Sequence, residues 1–220
     1  MPLAGVDEVD LVGLAPVRVF SWSRRQRHRP GLQFMVCTGR HHGFESLEEQ
    51  KLLLAVDFIG AARVVVSQPL RLRFETYAGR LSHIPDFLVV DGEGVCVFDV
   101  RPCGRIREPD QVAFAAMAEA ALSVGWGYHV VGGWYRHVMT GLDALSAQRR
   151  DLADPMGVQS ELVQAVAGRR CRFGELVGSG PLAGIRPAHA LHLLWRRRLG
   201  VDLADVLGDR SPVWAADGEG

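Results

Sequence analysis

The segment HIPDFLVVDGEGVCVFDV, residues 83–100, most narrowly limits what this chain can fold into. Two apolar stretches flank the turn sequence DGEG, a pattern that predicts a β-hairpin. With the turn centred on Gly92 and Glu93, a two-residue or a four-residue loop alike sets Asp86 opposite Asp99. The Cβ atoms of directly opposed residues lie about 4.5–5.5 Å apart on one face of a sheet. The hairpin therefore brings two carboxylates together.

Two carboxylates this close repel each other unless a cation lies between them or one of them binds a proton. Arg101 lies two residues beyond Asp99 and so points to the same face. Taken singly, Asp86 could be a turn acid at a strand start, and Asp99 could form a salt bridge with Arg101 or Arg105. Their joint position in one register favours a site.

Glu49 is a third candidate. The segment that follows Ser46 predicts a helix, with Ser46 as N-cap and Glu49 at the third helical position. Helical spacing puts Glu49 on the same face as the apolar Leu52 and Val56. A carboxylate there either caps the helix with Ser46 or points into a site. Three carboxylates, together with the backbone carbonyl of Val100, would form an oxygen-rich site suited to Mg²⁺ or Mn²⁺.

The remaining pattern predicts an α/β core. Two β-rich segments, separated at Pro69, are present in the stretch ARVVVSQPLRLRFETY. Helical spacing of apolar residues follows in DQVAFAAMAEAALSV. A further strand is predicted in GYHVVGGW. The predicted order is helix, three strands, helix, strand. We expect an N-terminal arm over 1–34, this core over 35–140 and a C-terminal domain over 141–220.

The C-terminal domain is expected to be small and helical or winged-helix. From about residue 138 the pattern is helical with breaks at glycine and proline. Four apolar residues share one predicted helical face: Leu191, Leu194, Trp195 and Leu199.

Composition excludes several classes of protein. Because 48% of residues are hydrophobic, global disorder is excluded. The 25 Lys and Arg residues are balanced by 25 Asp and Glu residues, which argues against a strongly basic nucleic-acid-binding protein. No apolar run of about 18 residues is present, so we expect no membrane span. The four cysteines lack disulfide or zinc spacing and indicate the reduced thiols of a cytoplasmic protein.

The chain resembles the PD-(D/E)xK nuclease superfamily in the order of three features. These are a glutamate on a first helix, then Pro85-Asp86, then Asp99-Val100-Arg101. The sequence around these residues is more specific, and over about residues 35–210 the chain resembles the TnsA-like endonuclease subunit of heteromeric transposases. The segments that carry the resemblance are FESLEEQKLLLAVDF, VVSQPLRLRF, HIPDFLVVDGEGVCVFDVRP, GWGYHVVGGW and HALHLLWRRRLGVDLADVL.

This resemblance implies a restriction-endonuclease-like core with a three-strand antiparallel meander between two helices and a further strand. It implies a Mg²⁺-dependent bacterial DNA endonuclease, with Mn²⁺ as a substitute, that hydrolyses phosphodiester bonds at the 5′ ends of a transposon. The implied partners are double-stranded DNA at transposon ends, an integrase-type transposase subunit (TnsB-like) and an AAA+ ATPase regulator (TnsC-like). No membrane is involved.

Carried over to this sequence, the metal ligands are Glu49, Asp86 and Asp99. Gln68 falls in the family's QP element and His83 precedes the PD motif, so both are candidate DNA contacts. The sequence departs from the superfamily at Arg101, where lysine is usual. Two alternatives therefore stay open: a catalytically dead DNA-binding or scaffolding subunit, and a free-standing nuclease of restriction or repair type.

Overall fold

The computed structural model describes residues 5, 9–18, 30–77, 79–178 and 180–216. Residues 1–4, 6–8 and 19–29 of the expected N-terminal arm lie outside this part. The chain divides into two compact units, residues 1–133 and 134–220. In the described ranges, no helix combines the length and the apolar character that crossing a membrane requires.

The first unit contains strands and helices of mixed α/β type. In chain order they are β1 (Gly31–Met35), β2 (Arg40–Phe44), α1 (Leu47–Ile59), β3 (Val64–Ser67), β4 (Leu72–Thr76), β5 (Gly79–His83), β6 (Phe87–Val90), β7 (Val95–Val100), α2 (Glu108–Ser123) and β8 (Gly127–Val131).

A four-stranded sheet of order β3-β6-β7-β8 forms the centre of this unit. Strands β3, β6 and β7 are antiparallel, whereas β8 runs parallel to β7 because α2 carries the chain back across the sheet. Leu88 and Val97 are fully buried against Met117, Ala120 and Ala121 of α2. This apolar contact holds α2 on the sheet.

The predicted hairpin register is confirmed. Phe87 pairs with Phe98, and Val90 pairs with Val95. The loop has four residues, 91–94, and the carboxylate of Asp91 accepts hydrogen bonds from the backbone N–H groups of Glu93 and Gly94. The ladder begins at Phe87 and Phe98, and the backbone amide of Asp86 donates to the carbonyl of Phe98 at 3.0 Å instead of pairing with Asp99, so the predicted Asp86–Asp99 pair lies just beyond the regular pairing.

The predicted α1 is also confirmed. Ser46 is its N-cap, and the hydroxyl of Ser46 accepts a hydrogen bond from the amide of Glu49. The helix ends at Ile59 and is capped by Gly60, which has φ +71°, a backbone angle that glycine adopts without strain.

Two short hairpins lie outside the four-stranded sheet. Strands β1 and β2 form one of them, and β4 and β5 form the other. The sequence pattern did not predict β1, β2 or β5. The strand β1 begins at Gly31, so the last residues of the expected N-terminal arm are part of a hairpin. The expected meander is therefore interrupted, because β4 and β5 intervene between β3 and β6.

The second unit combines helices with a small sheet. In chain order its elements are α3 (Arg136–Ser146), α4 (Val158–Ala165), β9 (Cys171–Arg172), α5 (Phe173–Val177), α6 (Arg186–Trp195), β10 (Leu199–Val201) and β11 (Pro212–Ala215). The three strands are antiparallel and have the order β10-β11-β9.

One apolar assignment in this unit was wrong. Leu199 does not continue the helical face of Leu194, because α6 ends at Trp195 and Leu199 begins β10. Arg197 has φ +55°, and the amide of Arg198 donates to the carbonyl of Leu193 at 2.9 Å, the closing bond of a Schellman motif. The predicted boundary at 140 falls inside α3, whereas the division between units falls before it.

Candidate active site

A cleft of about 1010 Å³ lies in the first unit, beside the start of β6 and the end of β7. Six of the seven residues that the sequence singled out line it: Glu49, His83, Asp86, Asp99, Val100 and Arg101. Gln68 does not line the cleft. The structure thus brings together residues from α1, from the end of β5 and from both strands of the hairpin.

Asp86 is partly buried and lies where the chain enters β6. Its Oδ2 accepts a hydrogen bond of 2.7 Å from the amide of Val100. Burial, reinforced by the charges of Glu49 and Asp99, raises the pKa of Asp86 well above its ordinary value. The site therefore holds a carboxyl group whose ionisation is opposed by its neighbours.

Asp99 is 3% exposed and has two polar neighbours. His83 Nε2 lies 2.8 Å from Asp99 Oδ2, and the hydroxyl of Tyr128 donates to the same oxygen at 2.7 Å. Burial and the charge of Asp99 raise the pKa of Tyr128, so its hydroxyl keeps the proton that it donates. His83, predicted as a DNA contact, is engaged with Asp99 here.

Tyr128 is a site residue that sequence reasoning missed. It belongs to β8, where it pairs with Val97 in the parallel register. The pairing follows a crossover through α2, and no local spacing reveals which β8 residue will reach β7. A tyrosine in a strand next to an acid-bearing strand is the nearest signal, and it is weak.

Glu49 is buried and fulfils the capping role that the sequence left open. Its Oε1 accepts from the hydroxyl of Ser46 at 2.8 Å, and its Oε2 accepts from the amide of Glu45 at 2.7 Å. Burial raises the pKa of Glu49, while these hydrogen bonds act in the opposite direction. Because the same carboxylate lines the cleft, capping and site placement coincide in one residue.

Arg101 follows β7, and its guanidinium lies 3.3 Å from Asp110 at the start of α2. Among the described residues neither Arg101 nor Arg105 forms an ion pair with Asp99, so the structural salt bridge that the sequence left open is not formed. The Arg101 side chain is 45% exposed and faces the cleft, which leaves it accessible to a ligand.

Gln68 lies behind the cleft. It is buried, and its φ of +50° is uncommon for a residue other than glycine. The backbone amide of Gln68 donates to the backbone carbonyl of Asp86 at 2.7 Å, and the side-chain oxygen of Gln68 accepts a hydrogen bond from Arg18 at 2.9 Å. Gln68 therefore supports the backbone that carries Asp86.

The charges in the cleft divide into two groups. Three acids are matched by a basic side chain: Glu45 pairs with Arg18, Glu48 with Lys51 and Asp110 with Arg101. The other three lie within ion-pair distance of no lysine or arginine in the described ranges: Glu49, Asp86 and Asp99. The residues that the sequence assigns as metal ligands are those without a lysine or arginine partner in this part of the chain.

A divalent cation fits the donor chemistry of this site. Carboxylate oxygens are the ligands that Mg²⁺ and Mn²⁺ prefer. In the arrangement described, no three His, Cys, Asp or Glu side chains of the described residues are gathered as ligands of one ion. Each of the three carboxylates is instead hydrogen-bonded to protein groups, so binding an ion requires them to exchange some of those hydrogen bonds.

The raised pKa of Asp86 predicts how the stability of the metal-free protein depends on pH. The folded state retains the Asp86 proton at pH values where the unfolded chain has lost it, so stability falls as pH rises through that window. Asp86→Asn should therefore be more stable than the wild type at pH 7, by a margin that shrinks towards about pH 4, near the unfolded pKa. Thermal unfolding in EDTA measures this margin. A margin independent of pH would contradict the prediction.

Removal of the Tyr128 hydroxyl should destabilise the fold. Tyr128→Phe leaves Asp99 without one of its two side-chain partners, and we expect the free energy of unfolding to fall by about 1–3 kcal/mol. Tyr77→Phe is the control, because Tyr77 is fully exposed. Urea unfolding of both variants measures the difference, and equal stabilities would show that the Tyr128 hydrogen bond contributes nothing.

Comparison of the chain with models of protein families and with curated proteins found no match.

Proposed function

We propose that this protein is a metal-dependent DNA endonuclease with a PD-(D/E)xK core. The observation that carries the proposal is the cleft that Glu49, Asp86 and Asp99 line without a lysine or arginine partner in the described ranges, beside an accessible Arg101. The order of the elements supports this core: α1 is followed by the antiparallel strands β3, β6 and β7, then by α2, and then by β8, which is parallel to β7. It is the arrangement that the resemblance to TnsA-like subunits implies.

Phosphodiester hydrolysis suits this combination of charges. Glu49, Asp86 and Asp99 would hold Mg²⁺, which when bound lowers the pKa of water and stabilises charge on a phosphoryl group. Asp99 is oriented by His83 and Tyr128, and Asp86 is oriented by the Val100 amide. Before an ion binds, these contacts set the directions from which the carboxylates face the cleft.

Arg101 would neutralise the scissile phosphate. A guanidinium carries a delocalised positive charge and only hydrogen-bond donors, so it cannot act as a base near neutral pH. The group that stands where the superfamily has lysine therefore orients and stabilises, and does not remove a proton. This assignment is compatible with the pairing of Arg101 to Asp110, because a half-exposed ion pair is worth only about 0–1 kcal/mol and is readily exchanged.

We further propose that the protein is the TnsA-like subunit of a heteromeric transposase that cuts the 5′ ends of the transposon. The second unit supports a winged-helix domain, because α4, β9, α5, α6, β10 and β11 follow one another with the sheet order β10-β11-β9. The integrase-type subunit and the AAA+ ATPase remain the proposed partners, and the bacterial cytoplasm the proposed location.

A nicking assay tests the proposal. Full-length protein is incubated with supercoiled plasmid and Mg²⁺ or Mn²⁺, and conversion to the open circle is followed with EDTA as the control. We expect metal-dependent nicking. Binding to duplex DNA without nicking, alone and with the partner subunits, would favour the catalytically dead scaffold. Strand polarity at labelled transposon ends distinguishes the transposase subunit, which cuts the 5′ ends, from a free-standing nuclease.

A further inference from the structure

The β4–β5 hairpin lies outside the four-stranded sheet, and every residue of its two strands is partly or fully exposed. An isolated two-stranded ribbon is at best marginally stable in water. Here the ribbon is supported on one face. Leu72 packs against the apolar cluster that Leu88 and Val97 form with α2, and His83 contacts Asp99 and Phe114. Among the residues that the structure describes, none covers the other face in this way.

The uncovered face is basic. Strand register puts Arg73 opposite Ser82 and Glu75 opposite Arg80, so these side chains share one face, and all four residues are exposed. Arg71 precedes β4 and alternates to the same side. In the described part of the chain Arg71 and Arg73 form no ion pair. Arg80 contacts Glu75 at 2.8 Å, with 87% and 72% of the two side chains exposed, so the pair is weak.

The hairpin is rooted at the candidate active site. Its last residue, His83, lies 2.8 Å from Asp99, and Ile84 lines the cleft. Arg73 pairs with the neighbour of His83, and Arg80 lies three residues before His83, or about 10 Å along the strand. The arginines therefore extend from the edge of the cleft along one side of the ribbon.

We propose that the β4–β5 hairpin is a DNA-binding arm, in which Arg71, Arg73 and Arg80 contact backbone phosphates next to the bond that is cut. The inference rests on the proposed function, because it requires duplex DNA as the substrate. Arginine neutralises phosphates and releases their counterions, and such contacts position a protein on DNA without reading its sequence. The root at His83 sets the distance between the bound phosphates and the carboxylates of the cleft.

The salt dependence of duplex binding tests the arm. Full-length wild type and the Arg71→Ala, Arg73→Ala, Arg80→Ala triple variant are titrated onto a short duplex in EDTA, so that no cutting occurs, at several salt concentrations. We expect weaker binding, and a slope of log K against log salt that falls by about 0.9 for each phosphate that the variant no longer neutralises. Unchanged unfolding temperature shows that the triple variant is folded.

Two further variants sharpen the test. Arg63→Ala removes an exposed arginine near Gly92, at the opposite end of β6 from Asp86, and should leave the affinity and the slope unchanged. Glu75→Gln removes the acid from the basic face and should strengthen binding. The triple variant removes three charges and Arg63→Ala removes one, so a loss with Arg63→Ala of about one third of the triple variant's loss in log K would mean that the effect follows net charge and not the arm, which would overturn the proposal.

The failures of the two proposals differ. If the wild type binds and nicks DNA and the triple variant does both with the same affinity and salt slope, the arm is wrong and the nuclease stands. A triple variant that binds DNA normally but no longer associates with the partner subunits would make the hairpin a protein-docking element and also overturn the arm. A wild type that neither binds nor nicks duplex DNA would overturn both proposals.

Discussion

Asp86→Asn and Asp99→Asn should each abolish metal-dependent nicking, a loss of at least about 10²–10³-fold, while the fold is retained. Both carboxylates line the cleft without a lysine or arginine partner in the described ranges. An asparagine at position 86 can still accept the hydrogen bond from the Val100 amide, so the local backbone keeps its support. The substitution removes the negative charge that would hold the cation.

Two measurements separate this result from unfolding. Calorimetric titration with Mn²⁺ should show weaker metal binding by both variants, and thermal unfolding should show a folded protein. Glu93→Gln provides the matched control, since Glu93 lies in the exposed turn between β6 and β7 and should leave nicking unchanged. If either aspartate variant nicks DNA at the wild-type rate, the ligand assignment is wrong.

Arg101→Ala should reduce nicking by about 10²–10³-fold, the range for removing one electrostatic stabiliser, whereas Arg101→Lys should retain substantial activity. A cation near the phosphate remains in the second variant and is absent from the first. Metal binding should persist in both, because the partner of Arg101 is Asp110 and not Asp99. Nicking rates and Mn²⁺ titrations of the two variants check these outcomes.

Asp110→Asn is the control for a structural role of Arg101. It removes the ion pair but leaves the guanidinium in the cleft, so nicking should continue and stability should change by no more than about 1 kcal/mol. If Asp110→Asn reduces nicking as strongly as Arg101→Ala does, the pair itself matters and the guanidinium is not the acting group. Wild-type nicking by Arg101→Ala, with unchanged metal dependence, would remove Arg101 from the site.

Local patterns predicted the parts of the fold that depend on a few neighbouring residues. The DGEG turn sets the register of β6 and β7 from Phe87 and Phe98 to Val90 and Val95, and both Asp86 and Asp99 lie at this end of the hairpin. Ser46 and Glu49 start α1 as expected, because their hydrogen bonds span only three residues. The short strands β1, β2 and β5 escaped prediction, since such strands are stabilised by pairing more than by their own sequence.

The surroundings of Asp99 arise only in the folded chain. His83 reaches this carboxylate from the end of β5, and Tyr128 reaches it from β8, which pairs with β7 only after the crossover through α2. The same holds for Arg101, whose partner Asp110 belongs to α2. The acidic residues and the register of the hairpin that carries them thus follow from sequence, because they depend on local turn geometry. Their hydrogen-bond partners come from packing between distant segments, which no local spacing encodes.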